Sequence, residues 1–564
     1  MKKKKMKTIR PIQKGVFLAG GVLGLTILAA GGYFIYDSIH PQKYIYTQEN
    51  TLSVSIPYIV DGEAAEKQME IPRGTRIRLE DQGTQESTFV YEGMEITLEN
   101  RYLKDSLADC LDIEAIYPRR LLNLRDSKGG ALTDTVVKKG EKLKVTRIDE
   151  EDLDSKTGEI NWYQVEKGNK KYWISGYYIE TTKKLATKNW NDDITYSTYW
   201  DEYFGEGYSE DAYIDQVDYK PTVTQNYKDN PILENCNAVH VSLENLVKYK
   251  DYFLSLSKET DINALVVELK GDIGYLWYES EVVENYLDDP SQAFVNSVAS
   301  VDELEDLIKE FQDAGYYMIG RIVTFKDQLF ALQNPEESIT DKEDNLIMHN
   351  DEYWPSPYSR KAWMYNVDVA KEIAALGINE IQFDYVRFPD GLSSKMDSID
   401  LKNTYDESKA SALQGFLQYA KEELDPYKVY VAADVFAWPM VAEDDQDIGQ
   451  FFLAMASTVD IISPMPYSDH FSNGAMGIDN PSSEPGKVIE EYSKLAYKEL
   501  QSLKEPPIYR SWIQGYGNLS PEEIKEQIKG LNESGFEGYM VWFGFGVPDD
   551  LDQNKEGYID SAIQ

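Results

Sequence analysis

Cysteine and histidine are scarce. Only Cys110 and Cys236 occur among 564 residues, which excludes a disulfide-stapled scaffold and a multi-cysteine zinc site and leaves at most one bridge between the two. The four histidines, His40, His240, His349 and His470, include no H-E-x-x-H pair, so no metal site is assigned and no cofactor is expected. There is no G-x-x-x-x-G-K-[ST], no G-x-G-x-x-G after the first candidate strand, no G-x-S-x-G and no kinase motif set, which removes nucleotide, dinucleotide, serine-hydrolase and kinase chemistry. Positive charge is short as well. With 57 basic and 98 acidic residues the net charge is −41, and such a surface repels a polyphosphate backbone, so nucleic acid is excluded as a partner.

The basic residues that are present crowd at the start. Residues 1–14 form a basic tail with Lys2, Lys3, Lys4, Lys5, Lys7, Arg10 and Lys14 and no acid, and 15–36 then run 22 residues without a charge. That length spans a bilayer. The cationic flank stays cytoplasmic, which predicts a single-pass protein of the cell membrane with everything after Asp37 outside. A cleaved signal peptide is the competing reading, since Ala29 and Ala30 are small; against it, no A-x-A site occurs and the apolar run continues through Phe34 and Ile35.

Residues 44–181 read as short β-runs broken by turns, with no helix-period stretch of useful length. Within 110–181 stand Leu122-Asn-Leu-Arg-Asp126, Val137-Lys-Lys-Gly-Glu-Lys-Leu-Lys-Val145, Trp162-Tyr-Gln-Val165 and Trp173-Ile-Ser-Gly-Tyr-Tyr-Ile179. This succession resembles the bacterial SH3-like domain, a resemblance that implies contact with cell-wall components; the bland alternative is a spacer that binds nothing. Residues 44–109 form a small β domain with a fainter copy of the same pattern, read as spacer. Residues 182–235 are polar and weakly periodic and read as a linker.

From 236 to 564 the pattern alternates between strand and helix. Ser300 followed by Glu303, Leu304, Leu307, Ile308 and Phe311 predicts a capped amphipathic helix, and Ser520-Pro-Glu-Glu523 repeats the device. Further helices are read at 369–374 and through the 410s. Eight apolar runs of strand length lie between and around them: 238–243, 264–269, 317–325, 380–388, 429–436, 461–467, 508–514 and 538–545. The expected fold class is α/β, a (βα)8 TIM barrel preceded by one or two small all-β barrels and a transmembrane helix. A doubly wound open sheet is the alternative, disfavoured by the missing phosphate loops.

In such a barrel the chemistry sits where the strands end. Polar residues in or just beyond successive runs are His240, Glu268 with Lys270, Arg321, Asp384 with Arg387, Asp434, Tyr467, Arg510 and Trp542. A strand inside a helix shell is nearly all apolar, and an unpaired buried charge costs several kcal/mol or more, so charges on every strand need a reason. Two readings compete. One is a structural ion network in which Glu268 satisfies Lys270 and Asp384 satisfies Arg387; the other is a polar ligand site. Glycosidic cleavage needs one carboxyl held protonated and one ionised, and Glu268, Asp384 and Asp434 are the candidate catalytic residues. Arg387 beside Asp384 is expected to keep it ionised, and a more hidden Asp434 to serve as acid.

Asn263-Ala-Leu-Val-Val-Glu-Leu-Lys-Gly-Asp-Ile-Gly274, Arg321-Ile-Val-Thr-Phe325 and Asn379-Glu-Ile-Gln-Phe-Asp-Tyr-Val-Arg-Phe-Pro389 together resemble a family of TIM-barrel proteins of glycoside hydrolase type, once listed as a domain of unknown function and distantly similar to α-amylase-type barrels. The resemblance covers roughly 237–546. It implies that Asp384 falls where such barrels carry the nucleophile and Asp434 near their acid. The chain departs from amylases in having Asp rather than Glu on the fifth strand, and Gln514 and Tyr516 where a third catalytic Asp would follow the seventh.

Candidate substrate-binding residues are Arg387, His240, Lys270, Arg321, Trp354, Tyr467, Arg510 and Trp542. Trp277, Trp354, Trp363, Trp438 and Trp542 fall near predicted rim loops, where flat rings stack on pyranose faces. The long Lys326–Lys361 loop reads as a cleft wall. The acidic runs Glu150–Asp154 and Glu443–Asp447 lack EF-hand spacing and read as solvated faces. The expected function is cleavage of a cell-wall, capsular or exogenous carbohydrate polymer by a membrane-tethered glycosidase. The alternative is a catalytically silent barrel that binds envelope glycan or a partner.

Overall fold

The computed structural model describes residues 41–47, 51–60, 63–105, 107–111, 113–148, 160–188, 216–442 and 444–559. The predicted basic tail and apolar anchor, the run Glu150–Asp154 and 189–215 of the linker lie outside them. No helix of the described residues is long and apolar enough to cross a membrane. The chain divides into two compact units, 1–118 with 123–186 and 119–122 with 187–564.

The first unit is antiparallel β. One five-stranded sheet runs in the order Met94–Glu99, Glu86–Tyr91, Arg76–Gln82, Gln42–Ile45, Leu103–Lys104. Its strands alternate as the sequence does, and Ile45, Ile77, Leu79, Phe89, Ile96 and Leu98 form the buried side. Thr51–Val60 and Glu63–Pro72 pair as a separate two-stranded ladder. A seven-stranded sheet follows, in the order Leu132–Val137, Leu122–Arg125, Lys170–Ser175, Trp162–Lys167, Leu143–Ile148, Ala115–Pro118, Ile179–Glu180.

The second unit is mixed α/β, built on parallel strands. All eight expected runs contain strand: Asn237–Ser242, Ala264–Lys270, Tyr317–Val323, Glu380–Asp384, Tyr430–Phe436, Ile461–Met465, a seventh in two pieces (Ile508–Tyr509 and Trp512–Gln514), and Tyr539–Trp542. Each pairs in parallel with the next through the first seven-strand piece, the eighth pairs with the first, and the second piece of the seventh pairs with the eighth. The fourth strand stops at Asp384 rather than at Phe388, because Tyr385 takes a left-handed φ of +52° that no strand accommodates.

Period-two alternation divides the strand side chains between two buried faces. Val239, Val241, Leu265, Val267, Leu269, Ile381 and Phe383 join a large core with helix residues such as Leu304, Ile308, Val369, Ile373, Leu413 and Phe416. Ala238, Ala264, Val266, Tyr317, Ile319, Trp512 and Met540 form a second cluster that contains no α-helical residue, and Tyr430, Ala432 and Ile461 form a third. The helices begin where their caps predict. Ser300 and Ser520 each close a full capping box, on Val301–Asp313 and Pro521–Glu533, devices that contribute about 1 kcal/mol apiece. Arg360–Ala375 and Lys409–Leu424 are the two further helices read from periodicity. Within this unit Arg119 pairs with Asp218 at 2.8 Å and Arg120 with Glu407 at 2.8 Å, all four buried.

Candidate active site

On the fourth strand Glu380, Gln382 and Asp384 share a parity, and the Gln382 amide nitrogen reaches the Met540 sulfur at 3.2 Å, which puts all three on the helix-free face. The same alternation places His240, Glu268, Arg321, Asp434, Arg510, Trp512, Gln514 and Trp542 there. Toward the C-terminal ends of the strands Arg321 becomes the hub. Its Nη1 donates to Glu268 Oε2 at 2.5 Å and its Nη2 to Asp384 Oδ2 at 2.5 Å, with Nε 3.2 Å from the same Asp384 oxygen. Asp384 Oδ1 accepts from the Tyr385 N–H at 2.6 Å. Both Asp384 oxygens therefore accept hydrogen bonds, the pattern of a carboxylate.

Asp434 completes the group differently. Its Oδ1 accepts from the Trp512 indole N–H at 2.7 Å, whereas its buried Oδ2 has no hydrogen-bond partner. Burial, with the Asp384 charge added, pushes the Asp434 carboxyl well above the usual range, and neither Arg321 nor the indole bond cancels this. Burial opposes the charge on Glu268 too, but the neighbouring His240 imidazole, the Arg321 guanidinium and the Trp277 N–H outweigh it and bring Glu268 down to about 2. Arg321 is desolvated yet held above the ordinary arginine value by Asp384 and Glu268. Arg321 grips two carboxyls, Glu268 and Asp384, and the one it does not grip, Asp434, is the one whose environment favours the protonated form. With Oδ1 engaged as an acceptor, Oδ2 is the oxygen left to carry a proton.

His240 stands 3.6 Å through Nε2 from Glu268 Oε2, and its Nδ1 lies 2.7 Å from the Gly544 carbonyl. The Trp542 ring lies over His240 at 4.2 Å between centroids and beneath the Arg321 guanidinium at 5.3 Å. Trp277 donates to Glu268 Oε1 at 3.2 Å. Tyr467 is buried in the same helix-free cluster as Trp512 and Met540, and burial raises its phenol. The cluster is nearly closed to solvent: Glu268 is 3% exposed, Arg321 2%, Asp384 6% and Asp434 0%.

Four expected site residues lie elsewhere. Neither of the sequence-neighbour pairs forms. Lys270 does not meet Glu268, because the ladder to the third strand shifts register between the two; its ammonium turns to Asp327 at 2.7 Å, the Val323 carbonyl and Asn366 on the Arg360–Ala375 helix. Arg387 makes no hydrogen bond with Asp384. It lies against the rings of Phe436, Trp354 and Tyr385 at 4.5, 5.0 and 5.0 Å and donates to the Phe388 carbonyl. Arg510 sits at the opposite end of the strands, where its Nη1 grips both oxygens of Glu380 at 2.8 and 2.9 Å. Trp354 is 3% exposed, packed against Tyr385 and Arg387 rather than open to a ligand.

Gln514 accepts from the Ser468 amide and hydroxyl, and Tyr516 donates to Asp469 at 2.8 Å, so both are engaged with the loop after the sixth strand. Two residues of the site went unread in the sequence. Trp512 shares a parity with Gln514, and that alternation was the available signal; Tyr385 gave none, since nothing in a tyrosine announces a left-handed backbone. Among the described residues no group of three or more His, Cys, Asp or Glu could hold a metal ion.

Solved structures similar to this chain include a hypothetical protein from Ruminiclostridium thermocellum ATCC 27405, at 30% identity over 35% of this chain and 97% of that one, with a TM-score of 0.30. The PgaB (BpsB) glycoside hydrolase domain from Bordetella bronchiseptica is 12% identical over 58% of this chain and 99% of that one, TM-score 0.41. The catalytic domain of β-amylase from Paenibacillus polymyxa is 12% identical over 59% and 97%, TM-score 0.36. At such scores these likenesses leave the assignment to sequence. No curated protein matches the chain. Residues 238–544 match the family described as "Putative glycosyl hydrolase domain", and the chain belongs to that family.

Proposed function

We propose that the second unit is a closed (βα)8 barrel that hydrolyses glycosidic bonds, with Asp384 as the ionised carboxylate and Asp434 as the general acid. Closure is supported by the shared seventh strand, whose first piece pairs with the sixth strand and whose second piece pairs with the eighth. The observation that carries the chemistry is the uneven grip of one guanidinium. Arg321 holds Glu268 and Asp384 in the acceptor form, and the charge of Asp384 helps to keep the proton on Asp434. Two neighbouring carboxyls whose environments push them apart are what acid-assisted cleavage of an acetal requires. Asp434 would donate to the leaving oxygen while Asp384 attacks the anomeric carbon or activates water. Glu268 stays ionised throughout and acts on Arg321, His240 and Trp277 rather than on substrate.

The substrate in this reading is a carbohydrate polymer of the cell envelope. Residues 15–36 would anchor the chain with its C-terminal region outside the cell membrane, and 110–181 would act as an SH3-like module toward the cell wall. The test is reducing-end release by the full chain from four polysaccharides: cell-wall peptidoglycan, capsular polysaccharide, chitin and starch. Release that Asp384→Asn and Asp434→Asn each abolish supports the assignment; release unchanged in either variant removes that residue from it.

One observation favours a second reading, a silent barrel that binds glycan. All three carboxyls are covered, and the Trp542 ring lies across Arg321 and His240. In that case no polysaccharide is cleaved, while wild type and Asp384→Asn bind the same one equally.

A further inference from the structure

Tyr385 follows the proposed Asp384 carboxylate in the chain and holds a φ of +52°. For a bulky side chain this region is costly, on the order of 1–3 kcal/mol, and it persists only where surrounding contacts enforce it. The contacts here are specific. Lys326 Nζ and the Arg387 guanidinium each stand 5.0 Å from the centre of the Tyr385 ring, and the Trp354 ring packs on it at 6.0 Å. Lys326 is in turn fixed by Asp272 at 2.7 Å and Glu352 at 3.4 Å. On the backbone side, the Thr324 and Phe325 amides donate to the carbonyls of Asp384 and Tyr385.

The turn begins at a peptide that serves the proposed carboxylate. The Tyr385 N–H, in the peptide that joins it to Asp384, donates to Asp384 Oδ1 at 2.6 Å while Arg321 occupies Oδ2. We propose that Tyr385 is a positioning residue: its ring, gripped by the Lys326–Lys361 segment and Arg387, holds a strained peptide whose N–H fixes the Asp384 carboxylate toward the reacting carbon. Arg387, which the sequence assigned to substrate and to Asp384, thus acts on Asp384 through an aromatic ring. The proposal rests on the role given above to Asp384, and it assigns the long loop to alignment rather than to sugar contact.

The experiment pairs crystal structures with kinetics on the same four polysaccharides. Tyr385→Ala removes the ring; the expected result is an Asp384 carboxylate displaced from Arg321, with kcat lower by about tenfold to a hundredfold and KM within about twofold. Tyr385→Phe keeps the ring and should restore both the carboxylate position and kcat. If Tyr385→Ala fails to fold, Tyr385→Leu, which keeps bulk and the strained φ but has no ring, gives the same readings. An Asp384 carboxylate that stays on Arg321 in the Ala or Leu variant overturns the proposal, as does an unchanged kcat. Absence of release by the wild type defeats the hydrolase reading alone, because the crystal structures still decide whether Tyr385 positions Asp384.

Discussion

The fourth strand carries an acid at each end of its helix-free face, and the two ends show what a buried arginine does when the stoichiometry differs. At the N-terminal end Arg510 meets one carboxylate, Glu380, its Nη1 reaching both oxygens, with the Leu233 carbonyl and the Tyr317 hydroxyl completing the setting. At the C-terminal end Arg321 meets Glu268 and Asp384, and Asp434 is left beside them without a cation of its own. The first arrangement is a balanced pair of the kind that holds a structure in register. The second has more acid than base in a dry place, so one member must stay protonated. A surplus of negative charge, rather than the presence of charge, separates a site from a strut.

The comparison breaks most sharply at Asp384. Asp384→Asn should lower reducing-end release by about 10⁴-fold or more, as expected for the loss of a nucleophile or base, whereas Glu380→Gln should leave the rate per folded molecule within about twofold; equal losses would erase the distinction between the ends. Next, Arg321→Met and Arg510→Met should each cost roughly 3–5 kcal/mol in denaturant unfolding, because each leaves a buried carboxylate unpaired, and only Arg321→Met should also abolish activity in the folded fraction. Replacing both partners at the structural end, Glu380→Leu with Arg510→Met, should then be neutral or stabilising by about 1–4 kcal/mol, with activity retained.

Proton linkage supplies a smaller effect. Asp434 has its folded value raised, so the folded state binds the proton more tightly, and the stability this confers falls as pH rises above the ordinary carboxylate value. Asp434→Asn should therefore gain stability relative to wild type as pH rises above about 4, by up to about 1.4 kcal/mol per pH unit. Glu268 runs the opposite way. Its folded value is lowered to about 2, so its contribution is complete above about 4.5 and is lost as pH falls toward 2; Glu268→Gln should flatten the acid limb of melting temperature against pH. The smallest effect is Ser300→Ala, about 1 kcal/mol in unfolding with no change in rate, since among the described residues its hydroxyl bonds only to Glu303 of the cap.

The eight strands and the two capping boxes were legible because each is written locally, as alternation or as a Ser with Glu three positions on. The meeting of Glu268, Arg321, Asp384 and Asp434 on one face was legible for the same reason: period two fixes parity. Parity does not say which end of a strand a residue occupies. Arg510 was therefore placed at the rim although it lies at the opposite end. Lys270 shares the parity of Glu268, and only the register shift between them, a product of pairing with the third strand, sends it to the helix side. Arg387 looked like the partner of Asp384 by proximity in sequence, but the turn at Tyr385 separates them and Arg321 comes from another strand.

The divided seventh strand bears on how the molecule opens. The sixth strand contacts it at two paired positions and the eighth at three, while the second and third strands share six. Short ladders are the least costly to unzip, and native-state opening concentrates where few bonds must be broken at once. Amide hydrogens near Arg510 and Ser511 should exchange with deuterium ahead of those on the second and third strands. Trp512, whose indole holds Asp434, is carried on this seam, so the wall behind the proposed acid should also be the part of the sheet that exchanges first.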